Sequence, residues 1–340
     1  MIIRSRAPLR LGLAGGGTDV SPYSDQFGGA ILNATISLQT YASLKPTENG
    51  KIVFRAVDRN EHFETEATDF IEPKGDLLLH KGVYNRIIKE FSKQPMSFEL
   101  TTYSDAPAGS GLGTSSTLVV AILGAFVEWL KLPLGEYDIA KLAYDIERED
   151  LGMAGGKQDQ YAATFGGVNF MEFLPNDNVI VNPLRVNPVF LNELEHNLLL
   201  YYTQTSRVSA NIIEKQSQNV KEKNTQSVDA MHKLKEQAQM MKEAMLKGQL
   251  EKIGKTLDFG WQNKKQMAEG ISNSQIDEIY DACMKAGSIG GKISGAGGGG
   301  FMIFYCPENT KHKVAEVLSQ LGGEVKKYHF TKNGLTTWTI

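Results

Sequence analysis

The sequence predicts a mixed α/β protein with two domains around a shared cleft. Its 340 residues exceed the roughly 100–200 of a usual single domain. Its elements also alternate: apolar strands run into glycine-rich loops, and helices follow. In Leu9, Leu11 and Leu13 the apolar residues alternate, which puts them on one strand face and Arg10 on the other. Gly15-Gly-Gly17 ends that strand. Residues 96–104 read as another strand, Asp105 to Gly113 as a Pro/Gly loop, and Thr114 to Lys131 as a helix that stops before Pro133. From Tyr137 to Leu151 the residues Ile139, Leu142, Ala143 and Ile146 recur at helical spacing, with Gly152 at the C-terminal cap. Between Val208 and Leu257, Val228, Met231, Leu234, Ala238, Met241 and Met245 are spaced by three or four, as in amphipathic helices whose methionines fill a core. The heptad is too short for a coiled coil. A last glycine loop feeds the strand Phe301 to Tyr305, and a helix from Lys311 to Leu321 comes next.

Composition excludes several classes. With 41% hydrophobic and 22% charged residues the chain reads as an ordinary soluble globular protein, neither disordered nor fibrous. The formal charge of −3, without a basic tract, gives no support to a nucleic-acid partner. Cys283 and Cys306 are too few for a disulfide framework, and the six histidines form no ligand-spaced cluster with them. A reducing cytoplasm is the expected compartment. Arg4, Arg6 and Arg10 interrupt the N-terminal apolar residues, so no signal peptide is read there. The longest apolar stretch, Thr117 to Val127, falls short of the roughly 20 residues that span a bilayer. No membrane partner is expected.

Asp105-Ala-Pro-Ala-Gly-Ser-Gly-Leu-Gly-Thr-Ser-Ser116 carries the most chemistry. Its three glycines let the backbone approach a ligand closely, and the helix beyond offers unpaired N–H groups and a positive dipole end, which suits phosphate. Thr114, Ser115 and Ser116 supply hydroxyls at the helix start, where one can cap and another can ligate magnesium. A tight turn with a capped helix is the plainer alternative. Three resemblances to other nucleotide motifs are chance. Gly254-Lys255-Thr256 mimics the end of a Walker A loop, but Gly248 is one position too far away and the setting is helical, so a helix boundary is expected there. Gly295 to Gly300 matches G-x-G-x-x-G yet leads into a strand, and Asp258-Phe-Gly260 lacks a catalytic-loop His-Arg-Asp.

Arg6-Ala-Pro-Leu-Arg-Leu-Gly-Leu-Ala-Gly-Gly-Gly-Thr-Asp19, Pro107 to Ser116, and Lys292-Ile-Ser-Gly-Ala-Gly-Gly-Gly-Gly300 together resemble the three signature motifs of GHMP kinases, in that family's order. The resemblance implies an N-terminal domain of ribosomal-protein-S5-like topology over residues 1–190. A ferredoxin-like domain over 191–340 would follow, with the active site between them. It implies ATP and Mg²⁺ as cofactors. Pro107, Ala108, Gly109, Ser110, Gly111, Leu112, Gly113, Thr114, Ser115 and Ser116 would wrap the ATP phosphates, with Ser115 and Glu147 as metal ligands. Asp159 matches the acid that receives the substrate hydroxyl's proton, and Arg10 the cation beside it. Phosphoryl transfer needs both a metal on the phosphate oxygens and a carboxylate at the attacking hydroxyl. Without the resemblance, Glu147 and Asp159 read first as a solvated helix-end charge and a loop capping aspartate.

Thr18-Asp19 looks like the sugar-contacting pair of galactokinases, but Gly16-Gly17 replaces the Glu-His found before it there, which argues against galactose. The Gly-Gly-Gly-Thr-Asp form resembles the branch of fucokinases and heptose 7-phosphate kinases, which act on the anomeric hydroxyl. Within that branch Lys157, beside Gln158, favours the heptose-phosphate members. The resemblance thus implies transfer from ATP to D-glycero-D-manno-heptose 7-phosphate, giving the 1,7-bisphosphate. A fucokinase or other sugar 1-kinase is the runner-up, and a non-catalytic sugar sensor a third reading. A substrate already phosphorylated needs a further cation, for which Lys157 and Arg207 are the candidates. Thr205, in the Thr/Ser/Arg stretch from Tyr202 to Ser209, is expected to reach the sugar, or else to belong to an exposed turn. Gly297 and Gly298 are expected beside phosphates and substrate, while Lys292 reads as a solvated strand charge. A monomer or homodimer fits equally.

Overall fold

The computed structural model describes residues 1–205 and 209–340. The first strands are β1 (Ile3–Ala14), β2 (Gly29–Pro46), β3 (Lys51–Ala56), β4 (Glu61–Glu66), β5 (Phe98–Ser104), β6 (Val168–Leu174) and β7 (Asn178–Pro183). Then come β8 (Leu198–Tyr202), β9 (Gly290–Ile293), β10 (Phe301–Tyr305), β11 (Glu324–Lys326) and β12 (Thr336–Thr339). They form two sheets. The larger runs β12-β1-β2-β5-β3-β4, with β6 on the first half of β2 and β7 on β6; the smaller runs β11-β8-β10-β9. Every pairing is antiparallel except β3 with β5. The fold is therefore of the α+β kind. Strand β12 returns to the first sheet and pairs with the start of β1, Ile3 opposite Thr339. The expected division at residue 190 falls inside the first helix after β7.

Eleven α-helices are described: α1 (Tyr23–Phe27), α2 (Leu78–Ile87), α3 (Thr114–Leu130), α4 (Glu136–Asp145), α5 (Gln158–Phe165), α6 (Pro188–Asn197), α7 (Ser209–Lys221), α8 (Thr225–Leu246), α9 (Leu250–Lys264), α10 (Ser274–Lys285) and α11 (Lys311–Gln320). Helix α3 is apolar all round and is buried on most of its surface, as such a helix must be. Val119, Ile122, Leu123 and Phe126 pack against Phe54, Phe98 and Leu100 of the larger sheet. Helix α4 runs into a π-helical turn over Ile146–Asp150, a feature frequent at functional sites, and Glu147 sits on that turn.

The leucine face of β1 joins the two sheets. Leu9, Leu11 and Leu13 are fully buried with Met241 and Met245 of α8, Ile253 and Leu257 of α9, and Phe301 and Ile303 of β10. The methionines of α8 thus fill the core. Trimming Leu11 to alanine is expected to cost about 2–5 kcal/mol in chemical denaturation. Gly254 lies inside α9 and not at a helix boundary; a side chain there would strike Ile289 and Tyr305, so close packing explains the glycine.

Candidate active site

Three glycine-bearing segments that are far apart in sequence meet at Gly111. Arg10 donates from its backbone N–H to the Leu112 carbonyl at 3.1 Å, and from Nη1 to the Gly111 carbonyl. Ser294 Oγ donates to the same Gly111 carbonyl at 2.8 Å, and Phe301 N–H to the Ser110 carbonyl at 2.8 Å. Gly111 has φ of +89°, and a Cβ there would fall on the Ser294 backbone carbonyl, so glycine is required twice over. The loop is thereby held in place ahead of α3, whose N-terminus carries Thr114, Ser115 and Ser116. Its unpaired N–H groups face a cleft of about 560 Å³, within the usual range for a ligand site.

The cleft's opposite wall starts from α5. Arg10 Nε and Nη2 both reach Asp159 Oδ1 at 2.7 Å, which leaves Asp159 Oδ2 without a hydrogen bond among the described residues. Arg10 is buried while Asp159 is partly open to the cleft. Asp19 Oδ2 accepts from the backbone N–H groups of Lys157 and Gln158 at 2.9 and 3.0 Å and so fixes the start of α5. A Cβ at Gly156 would overlap that carboxylate. Burial pushes the Asp19 carboxyl up, against those two N–H bonds. Glu147 is buried too, and burial also raises its carboxyl above the ordinary range. Its Oε2 accepts from Gln160 Nε2 at 2.5 Å, and the same nitrogen reaches Ser116 Oγ at 3.1 Å. Glu147 Oε1 stands 3.7 Å from Arg148, whose guanidinium donates to the Met153 and Gly156 carbonyls and so ties the 152–156 loop to the cleft.

Comparison with known proteins gives the family. Models of the GHMP kinase N-terminal and C-terminal domains match residues 79–167 and 241–324. A Campylobacter jejuni protein named D-glycero-alpha-D-manno-heptose 7-phosphate kinase is 48% identical, over 99% of each chain. The chain belongs to the GHMP kinase family. A solved structure named as a D-glycero-D-manno-heptose 1-phosphate kinase from Bacteroides thetaiotaomicron superposes with a TM-score of 0.85 at 47% identity, over 99% of both chains. The L-fucokinase/L-fucose-1-P guanylyltransferase of Bacteroides fragilis is 27% identical over 94% of this chain and 36% of its own length. GHMP kinases use ATP as phosphoryl donor.

In this GHMP kinase, Arg10, Asp19, Ala108, Gly109, Gly111, Gly113, Thr114, Ser115, Ser116, Glu147, Gln158 and Asp159 all line one cleft. Other expected residues do not. Lys157 is the main correction: its side chain is buried away from the cleft, with Nζ 2.5 Å from Asp177 and 3.8 Å from Asp25. That contact is an ion pair whose angle does not make a hydrogen bond. The Thr18 hydroxyl donates to the Gly15 and Ala30 carbonyls and accepts from Ala30 N–H, which uses it up in the turn. Gly297 and Gly298 pack on Ile271, and Thr205 takes the Gly300 N–H on its carbonyl. Pro107, Ser110 and Leu112 support the loop from outside the cleft. Arg207 lies outside the described residues.

Two lysines went unrecognised in the sequence. Lys264, the last residue of α9, and Lys292 of β9 are both buried and both line the cleft. Lys292 is thus no solvated strand charge. Lys264 Nζ donates to the Gly295 carbonyl at 2.7 Å and Lys292 Nζ to the Gly12 carbonyl at 2.8 Å. Lys264 did carry a signal: Ile253, Leu257, Trp261 and Lys264 share one face of α9, so a lysine stands on an apolar stripe. Among the described residues no helix is long and apolar enough to cross a membrane, and no group of three or more His, Cys, Asp or Glu is gathered to hold a metal.

Proposed function

We propose that this kinase transfers the γ-phosphoryl group of ATP to the anomeric hydroxyl of D-glycero-D-manno-heptose 7-phosphate, giving the 1,7-bisphosphate. The observation that carries the chemistry is the Arg10–Asp159 pair, locked to Gly111 and facing the α3 N-terminus across one cleft. The sugar is taken from the Campylobacter relative. In this reading residues 107–116 cradle the ATP phosphates with backbone N–H groups. Asp159 Oδ2 accepts the hydroxyl proton while Arg10, bound to Oδ1, orients the carboxylate and faces the transferring group.

A magnesium ion suits the residues present. Mg²⁺ is usually held by one or two carboxylates together with substrate phosphates. Glu147 is a buried carboxylate that lines the cleft together with Ser115 and Ser116 of α3, its carboxyl raised by burial despite the nearby Arg148. Ser115 and Glu147 would hold the ion, and when bound it neutralises the phosphate oxygens. A cytoplasmic location fits a nucleotide-dependent enzyme with two free buried cysteines. The two domains are proposed as residues 1–190 and 191–340, with β12 of the second pairing back onto β1 of the first. The chain is taken to act as a monomer or homodimer.

The two heptose relatives carry names that put the sugar phosphate at different carbons. Only a 7-phosphate leaves the anomeric hydroxyl free to accept. Incubation with Mg-ATP and heptose 7-phosphate, heptose 1-phosphate, unphosphorylated heptose or L-fucose, followed by ADP release, tests the reading. Turnover is expected with heptose 7-phosphate. Turnover only with fucose would give the protein to the fucokinase-like alternative, and none with any sugar would favour a sensor.

A further inference from the structure

From the cleft's geometry we infer that Lys264 and Lys292, with Gln216, seat the phosphate that the acceptor sugar brings with it. The inference rests on the acceptor being a sugar phosphate, and it replaces Lys157 in that role. Both ammonium groups converge on Gly16: a Cβ built there would lie 3.5 Å from Lys264 Nζ and 4.0 Å from Lys292 Nζ. Neither lysine forms an ion pair with a carboxylate among the described residues; each has only a backbone carbonyl. A buried cation with no counter-ion is costly unless a ligand supplies the charge. Burial draws Lys264 down to about 8, and it draws Lys292 well below its ordinary value, with Lys264 and Arg10 adding repulsion. Such a cluster is relieved by an incoming dianion.

A neighbouring donor is also unused. Gln216, on α7, is buried in the cleft wall with Nε2 unpartnered, and its amide oxygen would lie 3.5 Å from a Cβ at Gly17. Two ammonium groups and an amide therefore surround Gly16-Gly17, the dipeptide that stands where galactokinases carry Glu-His. Absence of a side chain at Gly16 leaves space between the two ammonium groups that a phosphate can use, whereas the side-chain direction at Gly17 is filled by Met267.

The seat is distinct from the position of the transferring phosphoryl group. Arg10 and Gly12 occupy the same face of β1 two residues apart, roughly 7 Å of strand. Lys292 Nζ binds the Gly12 carbonyl, and both ammonium groups meet at Gly16, beyond the end of that strand. A phosphate held there sits at the far end of an acceptor whose hydroxyl reaches Asp159. A seven-carbon sugar phosphorylated at its last carbon has that extended form.

The test compares Lys264→Met and Lys264→Arg with the wild type on heptose 7-phosphate and unphosphorylated heptose. A charge-assisted hydrogen bond corresponds to about a 10- to 150-fold change in kcat/KM. Lys264→Met is expected to lose that much on the phosphorylated sugar, through KM, and less than about 2-fold on the free sugar, with KM for ATP unchanged. Lys264→Arg should recover part of the loss, which a merely structural lysine would not predict. Parallel loss on both sugars would overturn the inference while leaving the proposed reaction standing. A second arm is independent of the acceptor: calorimetric titration of inorganic phosphate into protein saturated with a non-hydrolysable ATP analogue, which occupies the nucleotide phosphate positions. Phosphate should bind the wild type and not Lys264→Met. If it does so while the wild type prefers a free sugar, the anion seat holds and the substrate reading fails. Equal phosphate binding by both proteins would remove Lys264 from the seat.

Discussion

The two walls of the cleft are made of different material. Along residues 108–116 the lining is mostly backbone and small side chains, buttressed from behind by Arg10, Ser294 and Phe301. Opposite, it is side chains: Asp19, Gln158, Gln216, Lys264 and Lys292, drawn from a turn, the three helices α5, α7 and α9, and the strand β9. Backbone donors suit a group common to every reaction cycle, because they are fixed by chain geometry and tolerate no redesign without refolding. Side chains can be exchanged one at a time. The first wall is therefore where a family keeps its shared cofactor, and the second where members diverge in acceptor.

That contrast can be broken at Asp159, which faces both walls. Asp159→Asn removes the proton acceptor and is expected to lower kcat by roughly 10²–10⁴-fold with little change in KM for ATP. Wild-type-like turnover would take Asp159 out of the mechanism. On the backbone wall, Gly111→Ala should lose nucleotide affinity and folding stability together, because the new Cβ meets the Ser294 carbonyl and the φ is positive. A cost of roughly 1–3 kcal/mol in urea denaturation is expected. Loss of affinity with unchanged stability would show that the loop is less braced than the hydrogen bonds imply.

The side-chain wall should respond to pH. Lys264 faces Asp19 from the β1–α1 turn, Arg10 from β1 and Lys292 from β9, and its pKa is drawn down by burial to about 8. Below that pH it carries the charge that meets a phosphate. Above it, KM for the phosphorylated sugar should rise by up to about tenfold per pH unit, whereas KM for a free sugar should not. The stability effect of the same group has the opposite sign. Between about pH 8 and its ordinary value near 10.4 the unfolded chain holds a proton that the folded chain lacks, so stability rises with pH through that window. Measured as the difference in Tm from Lys264→Met, the wild type should gain on the variant from pH 8 to 9.5; a constant difference would refute the shift. Glu147→Gln should raise the Mg²⁺ concentration needed for half-maximal rate, and an unchanged metal titration would free Glu147 from that role. The smallest effect is expected at Lys157. Its carboxylate partners Asp25 and Asp177 are about half exposed, so Lys157→Met should leave the preference for phosphorylated over free sugar within about 2-fold.

Most helices, the glycine loop and the 301–305 strand were legible because each is a local pattern: a repeat of two, a repeat of three to four, or a run of glycine before a helix. Asp159, Arg10 and Glu147 were legible only through resemblance, since their neighbours in sequence do not disclose that they meet. Lys157 misled because its position beside the cleft is right while its side chain points to Asp177. The backbone N–H of the same residue does reach the site, on Asp19, and sequence alone does not separate those two ends of one lysine. Lys264 and Lys292 come together from elements that become neighbours only when the smaller sheet folds onto α9, a juxtaposition with no trace in spacing.

The pairing of β12 with β1 sets an order in time. Strand β1 carries Arg10 and the leucine face, yet its outer partner is residues 336–339, so residues 15–335 must be made before that edge is covered. At ~5–20 residues per second the interval is tens of seconds, during which the edge of the catalytic strand offers unpaired N–H and C=O groups to any other strand. Chains released without residues 335–340 should therefore associate more readily during refolding, as light scattering would register. Equal scattering from full-length and shortened chains would show that β2 and α3 alone keep the strand safe. If the shortened chains do cluster, β12 acts for the nascent kinase as a late-made seal on the strand that carries Arg10.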